Sequence, residues 1–117
     1  MGKNILVVDD SSMMRNMISG ILSKAGHTIV GSAKNGIEGL AMYKTLKPEL
    51  VTMDITMREM DGFTAAKKIL EHDDAARIIF LSNLDKDFYK KDAVRAGAIG
   101  YVSKHDASMI LDIIDSI

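Results

Sequence analysis

The sequence predicts an α/β domain built on a five-stranded parallel sheet with helices on both faces. Two kinds of segment and their order predict it. Short runs such as Ile5-Leu6-Val7-Val8 are apolar throughout, as expected of strands buried on both faces. Between them lie segments with helical periodicity. The two kinds alternate along all 117 residues, which implies right-handed crossovers and parallel pairing.

Taken in order, Ile5 to Val8 is the first strand, and it stops at Asp9-Asp10-Ser11-Ser12, whose acidic and hydroxyl groups can cap a helix. Met13, Met14, Met17, Ile18, Ile21 and Leu22 then recur at helical spacing, and Gly26 marks the end. Thr28 to Ala33 is a strand; Asn35-Gly36 starts a helix to about Leu46, with Pro48 beyond it. Leu50 to Met53 is the third strand, ending at Asp54; a loop covers 55–61, and Gly62 opens a helix through Leu70. Ile78 to Leu81 is the fourth strand, ending at Ser82. Asp85 to Ala96 is a helix stopped by Gly97, Ile99 to Ser103 the fifth strand, and Ser108 to Ile117 the last helix. Residues 1–117 are read as a single domain, with no linker, repeat or low-complexity tract.

Composition narrows the function. With 47% hydrophobic and 26% charged residues the chain is globular. It has no cysteine, which removes disulfides and thiolate metal sites and fits a reducing compartment. Fifteen basic against 16 acidic residues leave a net charge of -1, which argues against nucleic acid or an acidic membrane as direct partner. No window approaches the ~20 apolar residues that span a bilayer, and the first apolar run is too short for a signal peptide. The expectation is a soluble, cytoplasmic protein.

In a doubly wound sheet, ligands bind beyond the carboxyl ends of the strands. Asp9 and Asp10, Asp54, Ser82 and Lys104 all fall there. Singly, each has an ordinary explanation: a cap, a loop residue, a solvated lysine. Together they make one site. Converging carboxylates repel one another unless a cation intervenes, and Mg²⁺ suits one or two carboxylates plus water and phosphate. Lys104 offers a compact charge for phosphate, Ser82 a hydroxyl donor, and Asp54 a carboxylate able to form an aspartyl phosphate.

At this point the chain resembles the response-regulator receiver family of two-component signalling, which includes chemotaxis receivers. The matching segments are Ile5 to Asp10, Val51 to Met57, Met60-Asp61-Gly62, Ile78 to Ser82, and Ala96-Gly97-Ala98 through Gly100 to Lys104. The resemblance implies a flavodoxin-like sheet of order 2-1-3-4-5; that order is carried by the likeness, not by the periodicity. It implies that Asp54 accepts the phosphoryl group from a sensor histidine kinase. Asp10 and Asp54 would ligate Mg²⁺ directly with the backbone carbonyl of Thr56, and Asp9 would help through a water. Lys104 would pair with the phosphate, while Ser82 and Tyr101 would move together as the switch. Output would be expected to pass to a downstream protein target, since no DNA-binding or enzymatic segment follows Ile117, unless the chain is a fragment of a longer regulator. The domain would not be an enzyme, apart from its own phosphoryl transfer and slow autodephosphorylation.

Three residues depart from the family pattern: Arg58 where proline is usual, Asn83 where a small residue is usual, and His105 where proline often follows the lysine. Asn83 bears on the lifetime of the phosphorylated state, Arg58 and His105 on loop geometry. Without proline, the Lys104–His105 bond is expected to be trans, since a cis bond there costs about 2.5–4 kcal/mol.

The chief alternative is a Mg²⁺-dependent aspartyl-phosphate phosphatase. It would want a second aspartate where Thr56 stands, and a cap domain. A flavin or nucleotide binder would want a phosphate loop where Asp9-Asp10 stands, and an unphosphorylated scaffold has no use for an intact acidic site. The methionines of the first helix read as core filling in preference to a partner surface, and His27, His72 and His105 as surface residues. The last helix carries apolar residues beyond one stripe, which leaves a face for a partner or a homodimer, unless the preceding helix covers it.

Overall fold

The computed structural model describes residues 2–83 and 88–117. Strands β1 (Asn4–Val8), β2 (Thr28–Ala33), β3 (Leu50–Asp54), β4 (Ile78–Ser82) and β5 (Gly100–Ser103) form one parallel sheet in the order β2-β1-β3-β4-β5. The helices are α1 (Ser12–Lys24), α2 (Gly36–Leu46), α3 (Gly62–His72), α4 (Lys90–Arg95) and α5 (Ile110–Asp115), the last preceded by a 3-10 turn over Lys104–Met109.

Alternate side chains of each strand feed two cores. Ile5, Val7, Leu50, Ile79, Leu81 and Val102 pack with Ile18 and Leu22 of α1 and Ile110 and Ile114 of α5. Leu6, Val8, Val51, Met53, Ile78 and Phe80 pack with Tyr43 of α2, Ala65, Ala66 and Ile69 of α3, and Ala93 of α4. Both faces are therefore covered, which is why the strands read as unbroken apolar runs. The edge strand β2, with Thr28, Gly31 and Ser32, is less covered, and on β3 Thr52 is buried with no hydrogen bond to its Oγ1 among the described residues.

The cap expected at the end of β1 forms at Ser11, and Asn35 and Asp61 cap the next two helices in the same way. Ser11 Oγ accepts from the Met14 amide at 3.3 Å, Asn35 Oδ1 from the Glu38 amide at 2.8 Å, and Asp61 Oδ1 from the Thr64 amide at 2.8 Å. Gly26, at φ 93°, supplies the left-handed residue past α1.

Several expectations need correction. The first part of the helix expected over Asp85 to Ala96 falls on residues 85–87, outside the described residues. Phe88 and Tyr89 are not helical, and α4 begins at Lys90. The Tyr89 ring packs edge-on against Phe63 at 5.6 Å and Phe88 at 4.8 Å, so tertiary contact overrides helical periodicity there. The last helix does not start at Ser108. Ser103 Oγ accepts from the His105 amide at 3.2 Å and begins the 3-10 turn, which holds Asp106 at non-helical φ -122°, ψ 45°. The Lys104–His105 bond is trans, as expected.

β5 starts one residue later than expected, and α3 runs two residues further. Met13 is 75% and Met17 40% exposed, so they do not fill the core. His27 is not simply a surface residue: half-buried, its Nδ1 accepts from the Lys3 amide at 3.0 Å. On the last helix the fully buried stripe is Ile110 and Ile114, while Met109 and Ile117 are exposed.

Candidate functional site

Strand register assembles the site. Val8 of β1 lies opposite Met53 of β3, so Asp9, just past β1, and Asp54, the last residue of β3, lie side by side. Asp54 is opposite Leu81, and Ser82 is opposite Ser103, which makes Lys104 the first residue beyond β5. Asp9, Asp54, Ser82 and Lys104 are all buried, and Asp10 stands exposed at the rim. Gly62 brings the β3–α3 loop close: its amide donates to the Ile55 carbonyl at 2.7 Å, and a Cβ there would collide with the Asp54 carbonyl.

The Lys104 ammonium lies 2.8 Å from Asp9 Oδ2 and 3.2 Å from Asp54 Oδ1. Burial, then the charge of Asp9, raises the Asp54 carboxyl to about 6 from 3.8, against the opposing pull of Lys104. Burial alone would lower Lys104, but its hydrogen bond and charge interactions with Asp9 and Asp54 outweigh this and hold the ammonium above its usual value. One cation among three carboxylates leaves the cluster negative. Asp9 Oδ2 also remains without an aligned hydrogen bond among the described residues, although Lys104 is near; we read that contact as electrostatic.

Carboxylate oxygens of Asp9, Asp10 and Asp54 lie within 4.8 Å of one another. An all-oxygen donor set of three clustered carboxylates, with one ammonium among them, fits a hard divalent cation. Of the expected residues, Asp9, Asp10, Asp54 and Lys104 are brought into contact; Ser82 ends β4 beside them, Thr56 is exposed in the loop after β3, and Tyr101 is half-buried on β5. Asn83 is exposed just beyond Ser82. Arg58 lines a cavity of about 450 Å³ beside Asp10, with Ser11, Lys34, Asn35 and Glu59.

Two neighbours of the site escaped sequence reasoning. Asn35 Nδ2 donates to Glu59 Oε2 at 3.4 Å, and Glu59 takes a left-handed φ of 69°. Arg15 Nη1 donates to the backbone carbonyl of Asp9 at 2.7 Å. The available signal for Arg15 was a cation near the start of a helix whose first turn adjoins two aspartates.

A doubly wound sheet with a buried carboxylate–ammonium cluster at its strand ends defines the class. Residues 5–115 match the response regulator receiver domain; the chain belongs to that family and is a phosphorylation-dependent signalling switch. It is 45% identical to the chemotaxis protein CheY of Bacillus subtilis over 116 residues, covering 98% of this chain and 97% of that one. It is likewise 45% identical over 104 residues to CheY of Thermotoga maritima, covering 89% and 87%. The fold superposes with TM-score 0.90 and 35% identity on a chain of the CheX-CheY-BeF3-Mg²⁺ complex of Borrelia burgdorferi, covering 97% and 87%. With the response regulator domain of Thermotoga maritima CheB the TM-score is 0.89 at 29% identity, covering 99% and 96%. These matches do not favour the phosphatase alternative. No helix among the described residues is long and apolar enough to cross a membrane.

Proposed function

We propose that Asp54 is the phosphoryl acceptor, with a sensor histidine kinase as donor. A carboxylate oxygen of Asp54 attacks phosphorus, the P–N bond to the donor imidazole breaks, and the imidazole leaves with the electron pair and takes up a proton. The observation that carries this reading is a buried Asp54 carboxylate 3.2 Å from the Lys104 ammonium and grouped with Asp9 and Asp10.

Mg²⁺, when bound, supplies the charge that neutralises the transferring group. Asp10, Asp54 and the Thr56 carbonyl would hold it, and Asp9 would act through a water. Lys104 would leave Asp54 to pair with a phosphoryl oxygen, and Ser82 would donate to another, drawing Tyr101 with it. The domain would catalyse only its own phosphorylation and slow dephosphorylation. Output would pass through a protein target in the cytoplasm and not through nucleic acid; the near-neutral charge and the CheX complex of the Borrelia relative support this.

The test is mass spectrometry after acetyl phosphate treatment, with and without Mg²⁺. One phosphoryl mass should appear only with Mg²⁺ and vanish in Asp54→Asn. Equal labelling of that variant would refute the assignment.

A further inference from the structure

Arg15 contacts the acidic site without having a part in the chemistry above. It stands in α1, its amide bonded to the Ser11 carbonyl at 2.9 Å, and its side chain turns back toward the end of β1. There Nη1 donates to the Asp9 carbonyl at 2.7 Å, a half-buried, charge-assisted bond. That carbonyl belongs to the peptide joining Asp9 to Asp10, whose plane sets the direction in which the Asp10 side chain leaves the backbone.

The other restraints on this turn act elsewhere. The Ser11 amide holds Asp9 Oδ1 at 2.9 Å, and the Asp9 amide donates to the Ala33 carbonyl at 3.0 Å. Both fix Asp9. No hydrogen bond or ion pair among the described residues holds the exposed Asp10 carboxylate, yet one of its oxygens is grouped with those of Asp9 and Asp54.

We infer that Arg15 is a positioning residue for the divalent-cation site, locking the Asp9–Asp10 peptide so that Asp10 faces Asp54. The inference rests on the reading that this site takes Mg²⁺. A guanidinium suits this role because it keeps its proton, is weakly hydrated, and fixes direction with its planar fork.

Two effects of opposite sign separate the inference from simple electrostatics. As a nearby positive charge, Arg15 repels Mg²⁺, so its removal should tighten binding if charge dominates. As a positioning group its removal should weaken binding, by roughly 10–100-fold for supports of this kind.

The experiment is calorimetric titration of Mg²⁺ into the full chain at neutral pH, for wild type, Arg15→Lys, Arg15→Met and Ile18→Val. Ile18 is buried in α1 among apolar side chains of the core, so its variant reports loss of α1 packing. Arg15→Met should bind Mg²⁺ about tenfold more weakly. Arg15→Lys should fall between it and wild type, because it keeps the charge and one donor on a shorter stem. Ile18→Val should melt lower but bind as wild type does. In phosphorylation by acetyl phosphate, Arg15→Met should need more Mg²⁺ for half-maximal rate and reach a near-normal rate at saturation. Binding by Arg15→Met as tight as or tighter than wild type would overturn the inference. So would a weakening matched by Ile18→Val. Failure of the wild type to bind Mg²⁺ would instead defeat the metal-site reading beneath it.

Discussion

Replacing Asp54 by asparagine should stabilise the metal-free protein at neutral pH, and the gain should depend on pH in a defined window. In the folded chain the carboxyl titrates at about 6, against 3.8 as its ordinary value. Below 3.8 both states hold the proton and Asp54 costs nothing. As pH rises, the unfolded chain ionises first, so the folded state binds more protons and stability falls until the folded carboxyl has also ionised, above about 6. A gap of roughly two units at 1.36 kcal/mol each is a penalty of about 3 kcal/mol. Asparagine has no such penalty, and Lys104 retains Asp9 at 2.8 Å as its counter-charge. At roughly 4 °C per kcal/mol for a chain of this size, the variant should melt ~10 °C higher at pH 7.5 in EDTA. The assay is thermal unfolding of both proteins from pH 3.5 to 8, with and without Mg²⁺. The gap should close toward pH 4, and shrink with Mg²⁺, since metal at a hundredfold excess over Kd returns about 2.7 kcal/mol to the wild type. A variant equally or less stable at pH 7.5 in EDTA, or a gap that ignores pH, would refute the reasoning.

Thr52→Val should raise stability by ~1 kcal/mol in urea titration, because it removes a buried hydroxyl that has no partner among the described residues and keeps the shape; a lower midpoint would mean that the hydroxyl is satisfied. Gly62→Ala should lower stability by ~1–3 kcal/mol, because its Cβ would meet the Asp54 carbonyl; a wild-type midpoint would show that the loop shifts freely. Ser82→Ala should still accept a phosphoryl group but lose the accompanying shifts of amide signals around Tyr101. Wild-type shifts in that variant would remove Ser82 from the switch.

What the sequence made legible, and what it hid, divide by range. The strands were readable because both faces of the sheet are covered, which leaves runs such as Ile78 to Leu81 with no polar break. The site followed, because consecutive parallel strands end at one edge and their next residues collect there. Local capping also read true at Ser11. The failures came where distant groups decide local form. Tyr89 answers to Phe63 on another helix, and the chain after β5 answers to the hydroxyl of Ser103 before it answers to the apolar spacing of α5. Met13 and Met17 have helical spacing, but which side of a helix meets the sheet depends on how that helix docks. Arg15 was hidden for a similar reason: nothing in its spacing says that a side chain on a helix will reach back to a strand-end carbonyl.

The ion pairs of Lys104 join the two ends of the chain. Asp9 and Asp54 sit on adjacent strands that can pair as soon as β3 exists, but their shared cation arrives only after β5. Pairing of β1 with β3 brings these two like charges together before the residue that neutralises them has been added. Contacts of such long sequence separation form late and slow folding. The carboxylate–ammonium cluster is thus complete only when the last strand has docked. A chain that ended before β5 would hold Asp9 and Asp54 without the ammonium that lies between them in the complete domain.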